Sequence, residues 1–208
     1  GTLSSGVASE VTTIIFANDT RFATLFASLI SITRSVHAIV SPPENVDDAD
    51  AIVTSTAVQA NNPEVIAARA RHVPIVPRAV MLAELMRLKR GIAIAGTHGK
   101  TTTATIIAHL LKHSGYDCSA FLGGISTNYQ SNILFGKNNV MVIEADEFDR
   151  SFLTLHPDIA IVTSMDADHL DIYGDKNHIE ESFRLYASQV KRGGKLIFKY
   201  NLPIQKEG

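Results

Sequence analysis

The sequence predicts an α/β protein made of two parallel-sheet domains, and three observations predict it. Short apolar runs alternate with amphipathic stretches along most of the chain, the pattern of strands joined by crossover helices. One apolar run, Ile92-Ala93-Ile94, leads directly into Ala95-Gly96-Thr97-His98-Gly99-Lys100-Thr101-Thr102-Thr103. Two further apolar runs end in dense carboxylates, at 144–149 and 166–171. In open parallel sheets ligands collect at the carboxyl ends of the strands, so three such ends carrying polar residues point to one site.

In the first half, strands are expected at 12–16, 37–40, 51–54 and 73–76, with helices at 21–32, 62–71 and 78–87. Pro42-Pro43 and Asn61-Asn62-Pro63 mark turns, and Asn62 is placed to cap the helix that follows. The basic stretch Arg87-Leu88-Lys89-Arg90 closes this half. It reads equally well as a solvated helix end favoured by the macrodipole. The domains are therefore set at 1–88, Rossmann-like, and 89–208, a P-loop-type nucleotide-binding domain. In the second half, strands are expected at 91–95, 118–122, 140–144, 159–163 and 195–199, with helices at 100–113 and 178–190. These strands are continuous apolar runs, as expected when both faces of a sheet are covered.

The bulk properties narrow the classes. The 208 residues suit one large or two small domains at about 100–200 residues each. Nineteen basic against 21 acidic residues leave no electrostatic footprint for nucleic acid. No apolar run reaches the ~20 residues that span a bilayer, and no signal-peptide pattern opens the chain, so a cytoplasmic location is expected. The single cysteine, Cys118, excludes a disulfide framework and reads as a small buried hydrophobe.

The chemistry lies at the strand ends. Gly96 and Gly99 free the backbone to turn N–H groups toward an anion, and the helix that follows adds its positive end. Lys100 supplies a point charge for β- and γ-phosphates, and the Thr101 hydroxyl can ligate Mg²⁺. The candidate ATP-binding set is Gly96, Thr97, His98, Gly99, Lys100, Thr101 and Thr102. The usual P-loop spacing wants a glycine where this chain has Ile94. Glu144, the first polar residue after its strand, is a candidate ligand for the same cation. Asp146, Glu147 and Asp149 read equally well as a solvated acidic turn. His169, between Asp168 and Asp171, can ligate a metal while a carboxylate orients its other nitrogen. His98 is the other histidine placed to meet substrate, and His37, His72, His109, His113, His156 and His178 read as structural.

With these segments in place the chain resembles the Mur ligases. The match is carried by Gly96-Thr97-His98-Gly99-Lys100-Thr101-Thr102, Glu144-Ala145-Asp146-Glu147 and Asp166-Ala167-Asp168-His169-Leu170-Asp171. The acidic run ending in Asp149-Arg150-Ser151-Phe152, the helix Met81-Leu82-Ala83-Glu84-Leu85-Met86 and the stretch 51–62 add to it. The resemblance is to the branch that adds L-alanine to UDP-N-acetylmuramate. It implies transfer of the ATP γ-phosphoryl to the muramate carboxylate, then amide formation through an acyl phosphate. It also implies two Mg²⁺ ions, with Thr101, Glu144 and His169 as ligands and Lys100, Glu144 and His169 as the catalytic set. Asp19, Ser55 and His98 would meet the UDP-muramate, and a monomer or dimer is expected.

Against the family pattern, the first strand and leading glycines of the UDP-binding domain are missing. The central domain breaks off at Gly208, before the adenine contacts and the domain that presents the amino acid. A fragment inactive alone is therefore expected. The alternatives are the branch that attaches a recycled murein tripeptide and, in a different class, a P-loop switch ATPase.

Overall fold

The computed structural model describes residues 43–47, 49–54, 58–166 and 176–204, and it divides the chain into two compact units, Gly1–Met81 and Leu82–Gly208. The division falls within the helix Arg78–Arg87. Met86, 1% exposed, explains why: it packs so tightly on Gly91 that a Cβ there would meet its Sδ at 2.4 Å. The end of that helix therefore belongs with the strand it precedes. The expected strands 12–16 and 37–40 and helix 21–32 lie outside the described residues.

In the first unit, β1 (Ile52–Thr54) pairs in parallel with β2 (Ile75–Pro77), Ile52 opposite Ile75, and α1 (Pro63–Ala70) connects them. The helix starts where the sequence signals it. Asn62 accepts from the N–H groups of Glu64 and Val65 at 2.9 and 3.4 Å, and Pro63 fills the first turn, where no N–H is needed. Its apolar side, Val65, Ala67 and Ala68, joins Val46 and Ile52 in a small core. Glu64 is buried and accepts from Asn45 Nδ2 at 2.7 Å, which ties the 3₁₀ turn Pro43–Val46 to the helix.

The second unit follows α2 (Arg78–Arg87) and comprises β3 (Arg90–Ala95), α3 (Lys100–His113), β4 (Ser119–Ser126), β5 (Ser131–Leu134), β6 (Val140–Glu144), β7 (Ile159–Val162), α4 (Lys176–Ser188) and β8 (Lys195–Phe198). They form one six-stranded sheet in the order β5-β4-β6-β3-β7-β8. All neighbours are parallel except β4 and β5, an antiparallel edge that the sequence did not announce. β3 lies between β6 and β7, so the three strand ends singled out above are adjacent.

Close packing holds this arrangement. Ala104 and Ala108 let α3 approach the sheet, where Ile94, Ala120, Leu122, Val140 and Val142 complete a fully or nearly fully buried cluster. Cys118 belongs to it: its thiol faces Ala108 O at 3.6 Å, and burial pushes its pKa up, which keeps it inert. α4 buries Phe183 and Tyr186 against Phe152, with ring centroids 5.3 and 5.1 Å away. Tyr186 then donates its hydroxyl to Ala93 O of β3 at 3.0 Å. Among the described residues no helix is long and apolar enough to cross a membrane.

Candidate nucleotide site

β3 ends at Ala95 and the chain turns at once. Gly96 takes φ 140°, and a Cβ there would stand 2.1 Å from Thr163 Oγ1 and 2.9 Å from Ser164 N. Only glycine fits. Ile94, where a longer P-loop would carry glycine, is instead a fully buried strand residue, so this loop is short. Gly99 takes the left-handed φ of 78° and caps α3 without any side-chain acceptor, leaving the first-turn N–H groups uncapped by side chains.

The loop is braced from β7. Thr97 Oγ1 meets Ser164 Oγ at 2.9 Å and accepts from Asp166 N at 3.0 Å, while His98 N donates to Ser164 Oγ at 2.7 Å. Thr163 Oγ1 shares its one proton between Ala95 O and His98 O. Thr97 is thus turned into the protein, 9% exposed, and supports the loop rather than facing the space above it. The His98 ring is solvent-facing, its Nε2 3.8 Å from Asp166 Oδ2. Thr102 is exposed on the first turn of α3.

Two carboxylates, Glu147 and Glu144, occupy the mouth of the loop. Lys100 Nζ donates to Gly96 O at 2.8 Å and to Glu147 Oε1 at 2.9 Å, with Glu147 Oε2 also 2.8 Å away. Thr101 Oγ1 donates to Glu144 Oε1 at 3.0 Å, and Gly123 N, from β4, donates to Oε2 at 2.6 Å. One expectation changes here: Glu147 is 3% exposed and ion-paired rather than part of a solvated turn, while Asp146 is exposed. Gly123, Thr163 and Ser164 had no signal in the sequence, because their partners lie 21 to 68 residues away.

Thr101 and Glu144, two hard oxygen donors in mutual contact at a helix start, fit a Mg²⁺ that keeps waters and shares substrate phosphate. Among the described residues no group of three or more His, Cys, Asp or Glu side chains could hold a metal by itself. Asp19, Ser55 and His169 lie outside the described residues.

This fold and loop define an α/β protein of the P-loop kind, with its glycine loop at the carboxyl edge of a parallel sheet. Residues 94–207 match the Mur ligase middle domain and residues 35–90 the Mur ligase catalytic domain. The chain belongs to the Mur ligase family. Among its relatives, the UDP-N-acetylmuramate–L-alanine ligase of Porphyromonas gingivalis is 48% identical over 168 residues, 80% of this chain and 36% of that one. The enzyme of that name from Paracidovorax citrulli is 52% identical over 182 residues, 87% and 38% of the two chains. The chain thus spans little more than a third of these relatives' length. The structure of UDP-N-acetylmuramate-alanine ligase from Thermotoga maritima superposes with a TM-score of 0.65 at 30% identity, covering 75% of this chain and 37% of that one. The fold is also that of UDP-N-acetylmuramate:L-alanyl-γ-D-glutamyl-meso-diaminopimelate ligase from Neisseria meningitides, at TM-score 0.69 and 24% identity over 79% and 56% of the chains.

Proposed function

We propose that this chain is the nucleotide-gripping part of an ATP-dependent ligase that joins L-alanine to UDP-N-acetylmuramate. The observation that carries the reading is that Lys100, folded back on Gly96, and the Thr101–Glu144 contact lie at the adjacent ends of β3 and β6. In this reading residues 89–208 hold ATP, and residues 1–88, with Asp19 and Ser55, hold the UDP end of the muramate. His98 lines the approach between phosphate and substrate. Expected partners are ATP, UDP-N-acetylmuramate and L-alanine, with a cytoplasmic setting and a monomer or dimer.

The first-turn N–H groups of α3, uncapped by side chains, and Lys100 draw the polyphosphate onto the start of α3. The muramate carboxylate oxygen attacks the γ-phosphorus and ADP leaves, giving an acyl phosphate. The amine of alanine then attacks the acyl carbon, loses a proton, and expels phosphate as the amide forms. Two anions must approach each other in the first step, so dense positive charge at Lys100 is the central requirement. Mg²⁺ at Thr101 and Glu144, with a second ion at His169, would supply further charge neutralisation.

The test is phosphate release by the full-length gene product with ATP, Mg²⁺ and UDP-N-acetylmuramate. Release that requires L-alanine supports the reading. Release that requires the murein tripeptide instead moves the protein to the recycling branch. Release indifferent to muramate and amine makes it a switch ATPase. Lys100→Ala is expected to abolish turnover in a folded protein, and retained turnover overturns the role given to Lys100.

A further inference from the structure

Lys100 is the residue that nucleotide binding most needs, and it is already engaged. An ammonium has three N–H donors and no acceptor. Here one serves Gly96 O and one serves Glu147 Oε1, while Glu147 Oε2 also lies within 2.8 Å. Both side chains are secluded, 14% exposed for Lys100 and 4% for Glu147.

The backbone that carries Glu147 is held in place by its own turn. Arg150 N donates to Glu147 O at 3.0 Å, and Asp146 O accepts from Phe152 N at 3.0 Å and from Ser151 Oγ at 2.9 Å. Phe152, fully buried, anchors this turn between Phe183 and Tyr186. Glu147 is thus fixed from below, whereas Lys100 reaches it on a flexible four-carbon stem.

We propose that Glu147 is a built-in substitute for phosphate, which holds the Lys100 ammonium while the site is empty and yields it when a nucleoside triphosphate arrives. The inference rests on reading this loop as the ATP site. A buried ammonium without a counter-charge is strongly unfavourable, so Glu147 keeps the empty loop intact. An incoming γ-phosphate must compete with this carboxylate and is repelled by it. Glu147 is therefore a positioning residue that holds nucleotide affinity below what the loop alone would deliver.

Calorimetric titration of Mg·ATP into the full-length gene product, wild type and Glu147→Gln, tests this. Glutamine keeps the shape and removes the charge, and binding is expected to tighten by about ten-fold or more. Destabilisation of the fold alone cannot tighten binding, so a gain separates this role from a structural one. Equal or weaker binding by a folded Glu147→Gln, beside measurable wild-type binding, overturns the proposal. Wild type that binds no ATP overturns the nucleotide reading instead. If Glu147→Gln does not fold, Glu147→Asp draws the carboxylate back one methylene and is expected to bind about three-fold tighter. An unchanged constant for that variant overturns the proposal.

Discussion

Glu144 is clamped by Gly123: the glycine N–H donates to Oε2 at 2.6 Å, and a Cβ at position 123 would stand 2.3–2.5 Å from the carboxylate group. With Thr101 Oγ1 on Oε1 at 3.0 Å, one carboxylate is oriented from both β4 and α3. The absence of a side chain at residue 123 is what lets a residue of the neighbouring strand reach the loop.

Gly123→Ala is therefore expected to leave the fold in place and displace the Glu144 carboxylate. Misorienting a candidate metal ligand costs about 10–100-fold in metal affinity or activity. The expected signature is a Mg²⁺ requirement shifted to higher concentration by that factor, with an unchanged circular dichroism spectrum. An unshifted Mg²⁺ titration removes Glu144 from the cation site.

Gly96→Ala tests the turn itself. Its φ of 140° disfavours any side chain, and Thr163 Oγ1 and Ser164 N occupy the space a methyl would need. A loss of at least about 1–3 kcal/mol in a denaturant melt is expected from the backbone strain. Thr163→Ala removes the atom at 2.1 Å but also the hydroxyl that braces the loop, so the double variant is expected to lose less than the sum of the two single losses. Strict additivity contradicts this geometry.

How much of this was legible follows from how local each signal is. Helices 78–87 and 100–113 and strand 140–144 appear at their expected bounds, because hydrophobic period and polar punctuation coincide there. β4 runs on to Ser126 although Gly123-Gly124 reads as a breaker, since those glycines serve a neighbour rather than a turn. β5 went unseen because its turn, residues 127–130, contains neither glycine nor proline, and Gln130 adopts the positive φ of 51° itself. The chemistry of Lys100 could be read from its own neighbours. Its partnership with Glu147, 47 residues on, depends on strand order and could not.

Asp158 gives an acid-side prediction. Burial alone would raise its pKa, but hydrogen bonds from Lys191 Nζ at 2.9 Å and Gly91 N at 2.8 Å hold it below the usual value of 3.8. A carboxyl with a lowered folded pKa stabilises above its unfolded pKa and loses that contribution as pH falls through the folded one. Asp158→Asn is expected to cost about 1 kcal/mol at pH 7, discounted for partial exposure, and to flatten the decline below about pH 4. Parallel acid curves for variant and wild type rule out this linkage.

Tyr186 acts on the alkaline side. Its phenol is fully buried against Phe152 and donates to Ala93 O at 3.0 Å, and burial raises its pKa well above the usual 10.0. Below pH 10.0 the phenol is neutral whether the chain is folded or not, so it adds no pH dependence. Above that, the unfolded chain releases a proton that the folded chain retains. The unfolded state then binds fewer protons, and stability falls by up to about 1.4 kcal/mol per pH unit. Tyr186→Phe keeps the ring but deprives the Ala93 carbonyl of the hydroxyl it accepts from, costing about 1 kcal/mol near neutrality. Because phenylalanine cannot ionise, the variant should lose stability less steeply above pH 10, and the two denaturation curves should converge as pH rises. An unchanged alkaline slope would mean that the phenol reaches water before the fold opens, and that α4 does not seal β3 as this contact requires.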